Sequence, residues 1–225
     1  MNMPAGRLDE HAAQHDLRQI GILAAVKGAF LEHGLEGASM QDLARAAGMS
    51  AGNFYRYFPS KAVLIEALVE VELTRLQADF GTFLQTGDLM GTVRQALQAR
   101  LEDRGCLMWE DIEVAATRSP EIAAIVRRFE TAVLGCLTEV FAGLSGLSKP
   151  EAEREFSAHG LLLLELFKDM VANCSPNRPL GRWQPSLQKQ LQDLIFRQIE
   201  GIFDEVRCYK SEGQAGISGV EAAGR

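Results

Sequence analysis

Between Ser39 and Lys61 the chain reads SMQDLARAAGMSAGNFYRYFPSK, which sets two short helices about a tight turn and stops them at a proline. Ser39 can cap the first helix with its hydroxyl, after which Met40, Leu43, Ala44 and Ala47 recur at helical spacing as one narrow apolar face that packs inward. Gly48 falls where the chain must turn with positive φ, Met49 offers an apolar plug and Ser50 caps the second helix. On that helix Ala51, Phe54 and Phe58 share the inner side. Gly52, Asn53, Tyr55, Arg56 and Tyr57 are left toward or beside the outer one. Two helices at a steep angle, with amide, guanidinium and phenol groups on the outer side of the second, have the form of a unit that enters a DNA groove. A hairpin made only for packing would need neither the outward Asn and Tyr nor a lysine so soon after Pro59.

The pattern S-x-G-x-F-Y-R-Y-F-P-S-K, following S-M-Q-D-L-A-R-A-A-G-M, resembles the DNA-binding domain of TetR-type transcriptional regulators. The resemblance covers residues 16–75 and is most specific at Gly48, Tyr55, Tyr57, Phe58 and Lys61. It implies an all-α fold: an N-terminal three-helix helix-turn-helix domain followed by a larger helical ligand-binding and dimerisation domain. By matching positions, Gln41, Ala51, Gly52, Asn53 and Arg56 are expected at or near base edges and Tyr55, Tyr57 and Lys61 on phosphates, with Ser39 and Ser50 completing the DNA-contacting set. It further implies a homodimer on double-stranded palindromic operator DNA, most often as a repressor released by a small-molecule effector. Ala62 and Val63 stand where the family usually carries an acid, so first-turn capping there is an open point.

The net charge of −7 and pI near 5.2 exclude a protein that coats nucleic acid indiscriminately. The span Asp16–Lys61 differs: Arg18, Lys27, Arg45, Arg56 and Lys61 outnumber Asp16, Glu32, Glu36 and Asp42 by one. No apolar run approaches the ~18 residues that span a bilayer, and the N-terminus lacks a signal-like apolar core, so no membrane partner and a cytoplasmic location are expected. Cys106, Cys136, Cys174 and Cys208 form no C-x-x-C pair and are read as core or surface thiols. His11 and His15 share a helical spacing but lack a third ligand, so no metal and no cofactor is expected.

Residues 1–15 carry no sustained apolar stripe and are expected to form a flexible arm. From Leu17 a helix burying Leu23, Val26 and Phe30 runs to Gly34, completing the head domain 16–75 around the motif 38–57. A long helix from Lys61 to about Leu84 carries two apolar sets. One is Leu64, Leu68 and Val71, and the other is Leu73, Leu76, Phe80, Phe83 and Leu84, so this helix is a natural mechanical link between two cores. Further helices are expected at about 90–103, 105–118, 120–144, 149–173 and 185–208. They make up an effector-binding and dimerisation domain over 76–208, followed by a disordered tail at 209–225.

The penultimate helix is apolar nearly all round and the final one repeats Leu187, Leu191, Leu194, Ile195, Ile199, Ile202, Phe203 and Val206, which a lone monomer cannot easily cover, a monomeric core being the alternative. A two-fold four-helix interface through Leu163, Phe167, Leu191, Ile195, Ile199 and Phe203 is the expected solution. Met108, Trp109, Ile112, Ala115 and Ala116 share one face, with Glu113 at its edge. Together with Phe80 and Phe83, the set Met108, Trp109, Ile112 and Glu113 is the candidate effector pocket, suited to a largely apolar molecule with a cationic group against Glu113. Core filling is the plainer reading of the same stripe. No nucleophile, base and orienting set, phosphate loop or H-E-x-x-H is present, so an enzyme is not expected. A protein-binding adaptor using the helix-turn-helix as scaffold is the alternative function.

Overall fold

The computed structural model describes residues 6–102, 105–173 and 185–218. Its elements are α1 (Gly6–His33), α2 (Met40–Ala46), α3 (Ala51–Tyr57), α4 (Lys61–Thr86), α5 (Leu89–Glu102), α6 (Gly105–Ala116), α7 (Pro120–Ser145), α8 (Lys149–Asn173) and α9 (Pro185–Ser218), with no strand among the described residues. This is the all-α architecture expected, a helix-turn-helix head followed by a larger helical part. Two corrections concern the ends. Residues 6–15, expected as a flexible arm, belong to α1, and α9 runs past residue 208 to Ser218. The 173–185 loop falls largely outside the described residues.

Breaks between helices follow side-chain and backbone chemistry. Gly34, Gly48, Gly87 and Gly146 all adopt positive φ, which an L side chain would resist. The open point at the start of α4 is settled by Ser60, whose hydroxyl accepts from Val63 N at 3.2 Å, so no acid is needed there. Ser145 and Ser148 shape the turn between α7 and α8. Ser145 Oγ donates to Phe141 O at 2.7 Å, and Ser148 N donates to Glu151 Oε2 at 2.9 Å to open α8.

The chain divides into two compact units: residues 1–71 with 107–126, and residues 72–106 with 127–225. The first gathers Leu23, Val26 and Phe30 of α1, Leu43 of α2, Phe54 and Phe58, and Leu64, Ile65 and Leu68 of α4, together with Met108, Ile112 and Ala115 of α6. Val71, assigned to this set by its spacing, is 48% exposed, and the inward position is Val69. The second is centred on an aromatic cluster in which Phe141 meets Phe156 and Phe203, each at 5.7 Å, and Phe203 meets Phe83 at 6.2 Å. Such edge and tilted pairs add to area burial. A Cβ at Gly160 would come within 3.3 Å of Leu134 Cδ2, so this glycine lets α8 lie close on α7.

No single described helix is long and apolar enough to cross a membrane. Among the described residues no group of His, Cys, Asp or Glu could hold a metal ion; the side chains of His11 and His15 lie outside the described residues. Cys136 is half-buried, and burial, then Glu139, pushes its thiol up and away from the reactive thiolate.

Candidate nucleic-acid interface

The head is built from its turn outward. Ser39 caps α2 and Asp42 returns the favour: Asp42 N donates to Ser39 Oγ and Ser39 N to Asp42 Oδ2, both at 3.2 Å. At the other end Met49 N reaches back to Ala44 O at 2.9 Å and Gly48 N to Arg45 O at 3.0 Å, with Gly48 at φ +64° between them. That pair of bonds is a Schellman closure, which stops α2 and reverses the chain in one step. Ser50 then caps α3 through Asn53 N at 3.4 Å.

Phe54 and Phe58, one turn apart with ring centroids at 5.4 Å, are both essentially inaccessible and pin α3 to the core. The opposite side of α3 follows from that anchoring. Gly52, Tyr55 and Arg56 are exposed, and Asn53 and Tyr57 are half-buried beside them. Ala51 is exposed too, which corrects its expected place on the inner side and puts it with the outward set. Ser39, Gln41 and Ser50 are also exposed, so the expected base-edge residues and the two tyrosines lie toward the solvent side of one short helix pair, while Lys61 stands half-buried at the start of α4.

Lys61 has a further task. Its Nζ donates to Leu35 O at 2.8 Å, and its burial pulls the ammonium below its ordinary range, opposed by Glu36. An ammonium carries three protons, so this bond leaves two for a phosphate. Sequence reasoning also missed Asp111 and Arg118. Asp111 Oδ2 accepts from Leu35 N at 3.1 Å, and Arg118 Nη1 lies 3.0 Å from Glu36 Oε1. No local signal marks either residue, because each partner is more than seventy positions away.

The other expected sites divide. In the first unit Met108 and Ile112 are buried, and Trp109 Nε1 donates to Glu113 Oε1 at 3.1 Å. Phe83 is buried against Phe203 in the second unit, and Phe80 is half-buried there. An open groove of about 500 Å³ in the second unit is lined by Arg94, Gln190, Asp193, Leu194, Phe196, Arg197 and Glu200, none of them an expected pocket residue. Arg94 lies over the Phe196 ring at 4.2 Å.

Of the expected dimer residues, Leu163, Ile195, Ile199 and Phe203 are buried in the chain's own core. Of the rest, Phe167 is half-buried and Leu191 is exposed. The apolar side chains that do face outward are Leu161 and Leu162 on α8 and Leu187, Leu191 and Leu194 on α9.

Comparison with known proteins agrees with this geometry. Residues 22–68 match the family model for bacterial regulatory proteins of the tetR family. Over 70 residues the chain is 49% identical to the nucleoid occlusion factor SlmA of Haemophilus ducreyi, a match covering 31% of this chain and 32% of that protein. Over 69 residues it is 35% identical to the HTH-type transcriptional regulator EthR of Mycobacterium tuberculosis, again 31% of this chain and 32% of the relative. The chain thus matches about a third of the length of these curated relatives. Among solved structures, GusR of Salmonella enterica superposes with a TM-score of 0.61 at 21% identity, covering 81% of this chain and 95% of that one. A transcriptional regulator of Rhodococcus sp. Rha1 gives 0.61 at 23% identity, covering 83% and 96%, so the fold is shared well beyond the head. Capped short helices, a Schellman turn and an outward α3 all fall inside the segment that matches the tetR family model, so residues 22–68 are similar to the DNA-binding part of those bacterial regulatory proteins.

Proposed function

We propose that this chain is a sequence-specific DNA-binding transcriptional regulator that acts as a homodimer on a palindromic operator, most simply as a cytoplasmic repressor. The observation that carries this reading is the outward side of α3. Gly52 sharpens it. A Cβ at Gly52 would meet nothing within the protein, so the fold does not require glycine there, and a helical glycine costs about 0.5–1 kcal/mol relative to alanine. Its benefit lies outside the chain, in letting the α3 backbone approach a base pair closely. In this reading Gln41, Ala51, Gly52, Asn53 and Arg56 read base edges, while Tyr55, Tyr57 and Lys61 hold phosphates.

The partner for the exposed leucines is a second copy. Leu187, Leu191 and Leu194 recur at heptad-like spacing on α9, and a two-fold pairing with Leu161 and Leu162 would cover both helices. Dimerisation sets two heads against two half-sites. Release by a small apolar or amphipathic effector completes the reading, with Met108, Trp109, Ile112 and Glu113 of α6 as candidate residues in the first unit. The test is selection of bound duplexes from a random pool, followed by a shift assay on the chain's own upstream region. Enrichment of a two-fold symmetric site supports the proposal, and a pool that stays random ends it.

A second reading draws on the match to a nucleoid occlusion factor, a relative not named for transcription. In that case the same head would serve a DNA-bound factor acting away from promoters. The genomic positions of selected sites decide between the two.

A further inference from the structure

Leu35 lies in the short connection from α1 to α2, is 3% exposed, and belongs to no helix. Its two backbone polar groups are nonetheless both satisfied, and by side chains from two different helices. Asp111 Oδ2 on α6 accepts from Leu35 N at 3.1 Å, while Lys61 Nζ on α4 donates to Leu35 O at 2.8 Å. The neighbouring Glu36 meets Arg118 at 3.0 Å in a pair whose side chains are 68% and 71% exposed, which makes that contact a weak, screened one. The connection itself has little freedom. Gly34 is at φ +72°, a Cβ at Gly37 would lie 2.3 Å from His33 O, and Ala38 is 1% exposed.

Ser39, the cap of α2, follows directly, and α3 follows α2 through the Gly48 turn. The point at which the Leu35 peptide is held therefore sets where both short helices begin. Asp111 is itself set by packing, because Ile112 and Ala115 beside it are buried in the core of the first unit. Asp111 lies outside the segment that matches the family model, 22–68.

We propose that Asp111 is a positioning residue for the DNA-binding head: its carboxylate fixes the Leu35 peptide, so that operator affinity depends on the seating of α6. The proposal rests on the DNA-binding reading above. Asp111 touches no DNA in it and acts only through the Leu35 peptide.

The test uses the full chain with Asp111→Ala, Asp111→Asn and Asp111→Glu, and Arg118→Ala as comparison. Amide exchange over residues 34–38 is read without DNA, and binding is read on the selected operator and on an unrelated duplex at the same salt. Loss of a charge-assisted bond in Asp111→Ala is expected to speed exchange at Leu35 and weaken operator binding roughly tenfold. The unrelated duplex, bound through phosphates alone, should change little. Asp111→Asn keeps an oxygen that accepts from Leu35 N and should recover most of both losses. Asp111→Glu keeps the charge but displaces the acceptor by a methylene, so it should fall with the alanine variant on the operator, which preserves the test if Asp111→Ala does not fold. Arg118→Ala should stay within about threefold of wild type. Wild-type operator affinity in both Asp111→Ala and Asp111→Glu overturns the inference, as does unchanged Leu35 exchange. A wild-type protein that prefers no duplex instead ends the DNA-binding reading, and the two failures are thereby distinct.

Discussion

The α2–α3 turn and the α8–α9 pair are held by different kinds of interaction. In the turn, helix ends meet partners a few positions away: Ser39 with Asp42, Ala44 with Met49, Arg45 with Gly48, Ser50 with Asn53. In α9, an inward face of Ile195, Ile199, Ile202, Phe203 and Val206 and an outward stripe of Leu187, Leu191 and Leu194 are separated only by what each packs against. Local hydrogen bonds specify geometry by themselves. Apolar area does not, because it is non-directional and any apolar neighbour will serve.

The comparison breaks hardest if one charge is placed on each face of α9. Phe203 is 3% exposed and stands between Phe83 and Phe141, so Phe203→Glu should cost several kcal/mol and unfold its unit. Leu194 is 51% exposed, and Leu194→Glu should leave helix content and the monomer's unfolding midpoint close to wild type while shifting sedimentation toward monomer. A folded, dimeric Phe203→Glu protein would remove Phe203 from the core role. A Leu194→Glu protein that stays dimeric at micromolar concentration would move the interface off this stripe.

Two glycines, one in the turn and one in α7, sharpen the contrast at the next scale. Gly48 holds φ +64°, where an L side chain costs about 1–2 kcal/mol, so Gly48→Ala should lower stability by that amount. Gly135, inside α7 with open space around its would-be Cβ, should respond in the opposite direction, Gly135→Ala gaining up to about 1 kcal/mol. Urea midpoints compare the two directly. Equal signs would mean that the Gly48 turn relaxes into a conformation any residue can adopt.

Those two regions also explain what was legible in the sequence. Helix limits from α2 to α8 could be read within a residue or two because caps, positive-φ glycines and Pro120 sit where the chain breaks. The outward side of α3 could be read because Phe54 and Phe58 fix it, and Ala51 was misplaced because a small apolar residue carries little facing information. Four of the six expected dimer residues lie inward for a related reason. Spacing alone does not say which apolar stripe of α8 or α9 meets the chain's own core. Asp111 and Arg118 were invisible because each acts across a long stretch of chain on a peptide or an acid that carries no motif.

On α3, stability and function should separate. Gly52→Ala is expected to raise the stability of the head by about 0.5–1 kcal/mol and to weaken the selected operator. Asn53→Ala and Arg56→Ala should relax sequence preference at a cost of about 1–3 kcal/mol each where the contact is bidentate. Lys61→Ala should weaken every duplex and flatten the salt slope, with a further loss on the selected operator and in stability through the lost bond to Leu35 O. Anisotropy titrations at several salt concentrations read all four. Tighter operator binding by Gly52→Ala would show that the glycine serves neither fold nor recognition.

The smallest effect belongs to two serine–carboxylate contacts at helix starts, one in each region. Hydrogen bonds from Ser39, side chain first and then backbone, hold the Asp42 carboxyl below its ordinary 3.8, with Arg45 assisting. Ser148 does the same for Glu151, holding it below 4.5. A carboxyl lowered in the folded state contributes stability that is fully present above its unfolded value and disappears as pH falls through the lowered one. Both groups are fully exposed, so the effects are small and sensitive to salt. Asp42→Asn and Glu151→Gln should therefore each sit slightly below wild type in urea midpoint near pH 7 and converge with it as pH falls below the ordinary carboxylate range. Because both contacts run from a serine N–H and hydroxyl to a carboxylate three residues on, the two variants should trace parallel curves although one lies in the head and the other at the start of α8. A gap for Asp42→Asn that persists unchanged at low pH would mean that the amide is harmful for its shape, and that charge at this helix start contributes nothing.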